Sequence, residues 1–242
     1  MKKIEKIVVK VGTNTVKELG QKEIVKNISA LHKKYKVALV SSGAVEEGRT
    51  ILKKEKINYE NLSKKILAGI GSSSFFEKYK KLFLKNKIIS VDFLVKELNF
   101  KKTLLEVVEN NFLAILNGND VLVGKDLLFD DNDSLGAVVS EKINAGLYVI
   151  LTDIDGVYDK NPNEKGAQKI KVLNNISEEL LKNSQTKGEL GTGGMYTKLL
   201  AAKKLLENKK NKTDIYITNN FEDLFNFLEE KDFSGTLIKN ML

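Results

Sequence analysis

Cysteine is absent from this 242-residue chain, which excludes disulfides and thiolate metal sites together. Sequons such as those at Asn27, Asn61, Asn175 and Asn211 then read as chance occurrences in a sequence rich in Asn and Lys. Long apolar runs are missing too: none approaches the roughly 20 residues that a membrane-spanning helix needs. The N-terminal Met1-Lys2-Lys3-Ile4-Glu5 enters a short apolar strand directly, with no secretory core or cleavage site. A cytoplasmic location without a membrane partner is the expectation. Proline occurs once, at Pro162, so no Pro-rich linker divides the chain. Histidine also occurs once, at His32, in a Lys-rich helix end that predicts an exposed, non-catalytic ring. No Ser/His/Asp or His-Glu-x-x-His arrangement exists.

Positive charge is plentiful but of one kind. The net charge is +8, and Arg49 is the only arginine. Reading of bases and stacking on them favour the planar guanidinium, and the lysines alternate with glutamates as on solvated helix faces. No nucleic-acid partner is expected; a basic chain also suits nucleotide triphosphates and dicarboxylic substrates. Apolar residues make up 42% and charged residues 30%, ordinary for a soluble globular protein with a sizeable core. The length fits one large domain over 1–242.

Short β-branched runs alternate with longer helical patterns. Strands are expected at Lys6–Val11, Val37–Val40, Ile88–Ile89, Phe112–Leu116, Leu147–Leu151 and Ile215–Thr218. Helices are expected over 21–34, 44–54, 62–86 (broken near 69–74), 133–145 and 195–207, with a hairpin over 121–129. Such alternation implies a mostly parallel sheet covered on both faces, a three-layer αβα sandwich. Ligands bind such sheets at the carboxyl ends of the strands. The phenylalanines at 221, 225 and 227 read as core.

Polar and Gly-rich segments follow the strands at those ends. Lys10-Val11-Gly12-Thr13 can set an ammonium and backbone N–H groups against phosphate, or present a lysine to water. Ser41-Ser42-Gly43-Ala44 leads into a helix whose first N–H groups can bind an anion, or which Ser42 merely caps. Asn117-Gly118-Asn119-Asp120 can grip a substrate amine or form an Asx-turn. Asp130-Asp131-Asn132-Asp133 can hold Mg²⁺ or cationic groups, or be a solvated helix start. Thr152-Asp153-Ile154-Asp155-Gly156 can meet a base or ribose, or simply connect two strands. Gly191-Thr192-Gly193-Gly194-Met195-Tyr196-Thr197-Lys198 allows close backbone approach, with Lys198 about one turn into a helix. It is neither a Walker A loop nor a dinucleotide fingerprint.

In order and spacing, VVKVGTNTV, VSSGAVEEGR, LLFDDNDSLGA, LTDIDGVYDKNP and GTGGMYTKLLAA resemble the amino-acid kinase family. Within it they are most similar to the members that phosphorylate the side-chain carboxylate of L-glutamate. The resemblance runs from Val8 to about Ala202. It implies ATP as phosphoryl donor with Mg²⁺, and a substrate half (roughly 1–145) followed by a nucleotide half (roughly 146–242). It also implies a homodimer or homotetramer and proline as a feedback inhibitor.

By this resemblance Lys10 and Lys198 contact phosphates, and Asp133 organises both lysines. Ser42, Gly43, Asn117, Asp120 and Asn132 bind glutamate. Gly12, Thr152, Asp153 and Thr192, Gly193, Gly194, Met195, Tyr196, Thr197 and Lys198 surround the nucleotide, and no residue is assigned as a metal ligand. The family usually carries an acidic residue where Gly118 stands and a glycine where Asp130 stands, which bears on substrate affinity and feedback. The C-terminal PUA module that many relatives carry is not expected.

Overall fold

Runs such as Ile7-Val8-Val9 and Leu147-Tyr148-Val149-Ile150-Leu151 are apolar on both faces of a strand, so they demand cover on both sides. The computed structural model supplies it, describing residues 3–95, 100–118, 131–185, 194–208 and 211–241. The first part of the chain forms β1 (Lys6–Val11), α1 (Thr13–His32), β2 (Lys36–Ser41), α2 (Ala44–Lys54), α3 (Lys64–Lys85) and β3 (Ser90–Val95). Next come α4 (Lys101–Glu109), β4 (Leu113–Gly118), α5 (Asn132–Ile143), β5 (Leu147–Leu151), β6 (Val157–Tyr158), β7 (Lys169–Ile170) and β8 (Val172–Leu173). The chain finishes with α6 (Glu178–Asn183), α7 (Met195–Glu207), β9 (Asp214–Thr218), α8 (Phe221–Leu228) and β10 (Thr236–Ile238).

Eight strands form one sheet in the order β3-β4-β2-β1-β5-β9-β10-β8, while β6 and β7 pair separately. Within the large sheet every pairing is parallel except that of β10 with β9. The mostly parallel αβα sandwich expected from the alternation is what forms. Strand alternation sorts the core into two layers. Val8, Val40, Leu116, Ile150 and Ile217 face α4, α5, α6 and α7. Ile7, Val9, Leu39, Ile115 and Val149 face α1, α3 and α8, where Phe221 and Phe227 lie buried as core. Chain order departs from β1 in one direction through β2 and returns on its other side as β5, so β1 marks the switch point where ligands bind.

Four expectations are corrected. The helix expected from residue 21 begins at Thr13 and is interrupted at Gly20 (φ 72°, ψ 156°); the polar first turns hid it. The strand expected at Ile88–Ile89 lies two residues later, at Ser90–Val95. His32 is buried, its Nε2 3.1 Å from the Asn111 carbonyl, and burial lowers its pKa despite that contact. Finally, α3 is continuous through 69–74. Of its two glycines, Gly71 is a contact point: a Cβ there would stand 2.0 Å from the Ala44 carbonyl oxygen, and one on Gly48 of α2 2.0 Å from that of Leu67. The hairpin expected over 121–129 lies outside the described residues.

Helix propensity alone would reward Gly71→Ala by roughly 1 kcal/mol. Backbone overlap with α2 reverses the sign, and we expect a loss of about 1–3 kcal/mol. Urea unfolding of the variant checks this; a more stable variant would contradict the close α2–α3 packing.

Candidate active site

The parallel register brings several strand ends to one edge of the sheet, with Val11 beside Ser41 and Leu151, and Leu151 beside Thr218. Backbone bonds tie the exits together. Ser42 donates to the Val11 carbonyl, Gly12 to that of Leu151 and Thr152 to that of Thr218. Gly43 then turns into α2 at φ 134°, a conformation that glycine adopts without penalty.

Lys10 follows Val8 in the alternation that faces α5 and α7. It is met there by Asp133, in the first turn of α5, and by Lys198, in the first turn of α7. The Lys10 ammonium lies 2.5 Å from Asp133 Oδ1 and that of Lys198 3.5 Å from Oδ2, with all three side chains at most 5% exposed. Thr197 Oγ1 donates to Asp133 Oδ2 at 3.3 Å. Burial pushes the Asp133 carboxyl upward, but the two ammoniums and the hydrogen bonds from Lys10 and Thr197 outweigh it and hold the pKa below the usual range. The Lys198 ammonium is lowered by burial and by Lys10, against the opposing pull of Asp133 and Asp153.

The neighbouring residues hold Asp133 in position. Asp131 caps α5 by accepting from the Ser134 amide at 2.7 Å. Tyr148, buried in β5, donates to the Asp133 carbonyl at 2.8 Å. Gly136 makes room for that ring, since a Cβ there would stand 2.3 Å from the Tyr148 hydroxyl oxygen. Asn132 clamps the strand ends: its amide nitrogen donates to Ser42 Oγ (2.8 Å) and Asn117 Oδ1 (3.1 Å), while its Oδ1 accepts from the Gly118 amide at 3.1 Å.

Two adjoining cavities open over this cluster. The larger, about 400 Å³, is lined by Lys10, Gly12, Ser42, Gly43, Asn132 and Asp133, with Asp131 and Lys64 also on its wall. The smaller, about 290 Å³, is lined by Ile154, Tyr158, Pro162, Asn183, Gly194 and Met195, among others. Asn14, Thr152, Asp153 and Lys198 belong to both. On that shared wall Asp153 accepts from Asn14 Nδ2 (3.1 Å) and Thr152 Oγ1 (3.0 Å). Burial raises the pKa of Asp153, while these hydrogen bonds and Lys198 bring it below its ordinary value.

Lys10, Gly12, Ser42, Gly43, Asn132, Asp133, Thr152, Asp153, Gly194, Met195 and Lys198 thus converge on the cavities. Asn117 is buried behind Asn132, Thr197 reaches Asp133, and Tyr196 packs against the core. Asp120, Thr192 and Gly193 lie outside the described residues, as does Asp130. Sequence reasoning missed Tyr148, Gly136, Asn14 and Lys64. Of these, Asn14 and Gly136 lie inside the quoted runs VVKVGTNTV and LLFDDNDSLGA, while Tyr148 and Lys64 lie in none.

A model described as the amino acid kinase family matches residues 5–219. The glutamate 5-kinase of Helicobacter hepaticus is 34% identical over 221 residues, covering 84% of this chain and 83% of that relative. The glutamate 5-kinase of Clostridium acetobutylicum is 33% identical over 224 residues, covering 85% and 84%. The one from Oceanobacillus iheyensis is 34% identical over 82% of this chain, and the match spans 59% of that longer relative. Among solved structures, carbamate kinase from Giardia lamblia bound to AMP-PNP superposes with a TM-score of 0.70 at 20% identity, over 99% of each chain.

Removing the central carboxylate leaves two buried ammoniums facing each other. Asp133→Asn should therefore cost about 3–5 kcal/mol, part of which Lys10→Met in the same chain restores. The folded-state pKa of Asp133 is depressed, so its contribution is fully present above about pH 4 and lost as pH falls through the lower folded value. The stability gap between wild type and Asp133→Asn should close over that acid range in denaturant titrations. A gap independent of pH would contradict the ion-pair account.

Proposed function

The chain belongs to the amino acid kinase family, and we propose that it transfers the γ-phosphoryl group of ATP to the side-chain carboxylate of L-glutamate. The products are L-glutamyl 5-phosphate and ADP, the first step of proline biosynthesis. The observation that carries this reading is the buried Lys10–Asp133–Lys198 cluster at the junction of two cavities. It occurs in a chain 34% identical to a glutamate 5-kinase over most of both lengths.

The chemistry suits the groups present. A glutamate side chain has a pKa of about 4.3, so the nucleophile is already ionised at neutral pH and needs no general base. The difficulty is to bring two anions together and to neutralise the charge on the transferring group. Lys10 and Lys198 do this, held at fixed separation by Asp133. A carboxylate oxygen of glutamate bonds to the γ-phosphorus as the bond to the bridging oxygen breaks and ADP leaves. The larger cavity takes glutamate, with Ser42, Gly43 and Asn132 on its wall, Asn117 bracing Asn132, and the carboxylate of Asp131 facing the substrate ammonium. The smaller cavity takes the nucleotide, with Thr152, Asp153, Gly194 and Met195 around it.

Among the described residues no group of three or more His, Asp or Glu could form a closed metal cage. Mg²⁺ brought in with ATP would be met by a carboxylate on the wall shared by the two cavities, such as Asp153, since it is commonly held by one or two carboxylates together with substrate phosphates. When bound, Mg²⁺ supplies charge neutralisation on the phosphate oxygens. The same reading makes 1–145 the substrate half and 146–242 the nucleotide half of one catalytic domain. Proline feedback, a homodimer or homotetramer and a cytoplasmic location belong to it through kinship alone.

The test is ATP turnover with Mg²⁺ in the presence of hydroxylamine, which traps an acyl phosphate as hydroxamate. Hydroxamate should form with L-glutamate and hardly at all with aspartate or N-acetylglutamate. ADP without hydroxamate would point to another acceptor. Lys10→Ala and Lys198→Ala should each lower kcat by about 10²–10³-fold with a much smaller change in the KM for glutamate. A near-normal kcat in either variant would remove the mechanism.

A further inference from the structure

Lysines 10, 64 and 198 line the larger cavity, and they are not equivalent. Lys10 and Lys198 are buried on either side of Asp133. Lys64, the first residue of α3, is exposed, and its ammonium meets no carboxylate or other partner among the described residues. The carboxylates on the same wall are Asp131, Asp133 and Asp153. Asp133 is occupied by the two buried lysines. Asp153 is bonded to Asn14 and Thr152 on the side shared with the smaller cavity.

An acceptor amino acid with a carboxylate side chain brings two carboxylates and one ammonium. The reacting carboxylate must approach Lys10 and Lys198, where the phosphoryl group arrives. The ammonium has Asp131. The α-carboxylate remains, and besides the first N–H groups of α2 at Ser42–Gly43 the described lining residue with a cation left to meet it is Lys64.

The position of Lys64 in its helix argues the same way. Lys64 and Lys65 occupy the first turn of α3, which contains no acidic residue. Cations there oppose the positive end of the helix, so helix stability does not account for a lysine at this position. We propose that Lys64 reads the α-carboxylate of the acceptor and sets the preference of the site for a substrate in which that group is free and ionised. This rests on the reading of the larger cavity as the acceptor site of a glutamate-phosphorylating enzyme.

The experiment compares wild type, Lys64→Gln and Lys64→Arg in the hydroxamate assay, with L-glutamate and with its α-carboxamide. Loss of one charge-assisted contact corresponds to roughly a tenfold weakening. In Lys64→Gln the KM for L-glutamate should rise about tenfold, with kcat within about twofold and the KM for ATP unchanged. The wild-type preference for glutamate over the α-carboxamide should shrink toward parity, and Lys64→Arg should keep it. Thermal unfolding separates this from a structural effect, because removing a cation from the start of α3 should leave Tm unchanged or slightly higher. An unchanged KM and preference in Lys64→Gln, in an active wild-type background, would overturn the role of Lys64 alone. A fall in kcat at constant KM would also overturn it, moving Lys64 to the phosphoryl group. Failure of the wild type to form hydroxamate from L-glutamate would instead remove the function itself, and this inference with it.

Discussion

One carboxylate between two buried ammoniums governs the arrangement. Each ion of the Lys10–Asp133–Lys198 cluster would be costly to bury alone, because the interior cannot replace its hydration. Together they still carry one positive charge more than they neutralise, in a place largely closed to water. That surplus makes the cluster an electrostatic seat for an anion. Strain in the fold is not needed to explain it: Lys10 is a regular strand residue, and Asp133 and Lys198 sit in the first turns of ordinary helices. What the fold contributes is convergence. The alternation of β1 turns Lys10 toward the same layer that presents the starts of α5 and α7, and Tyr148 pins the Asp133 carbonyl from the adjacent strand.

Much of this was legible from the residues, for identifiable reasons. β1 and β5 and helices α2 and α7 are bounded by sharp changes of composition, apolar runs ending in Gly, Ser or Thr, and their limits agree closely with the structure. α1 was foreshortened because Thr13-Asn14-Thr15 carries no apolar period, and the helix restarts after Gly20. Glycine usually signals a break, so α3 reads as interrupted; in the fold Gly71 instead serves by its shape, a flat spot against α2. His32 was read from its lysine neighbours, which say nothing about the Asn111 carbonyl 79 positions away.

The same distinction applies to the site. Lys10 stands out at a strand end before a glycine turn, Asp133 in a run of four Asp and Asn, and Lys198 just behind a glycine-rich segment. Their mutual contact spans nearly two hundred positions and could be expected only through family resemblance. Tyr148 carries no local mark, and Gly136 none beyond its place in the LLFDDNDSLGA run. One reads as a strand aromatic and the other as a helix glycine, and their pairing is visible only when the ring is seen to occupy the space a Cβ would take. Lys64 was hidden for the opposite reason, as one lysine among many.

The glycine contacts between α2 and α3 also have a mechanical meaning. With Gly48 against Leu67 and Gly71 against Ala44, the two helices touch backbone to backbone at these points, and Glu47 of α2 is tied to Ser74 and Lys78 of α3. They therefore behave as one stiff lever. Its short arm begins at Gly43, whose left-handed turn joins it to the sheet, and its other helix begins at Lys64. Both ends border the same cavity, so the close helix contact fixes the spacing between the Ser42–Gly43 turn and Lys64 across it.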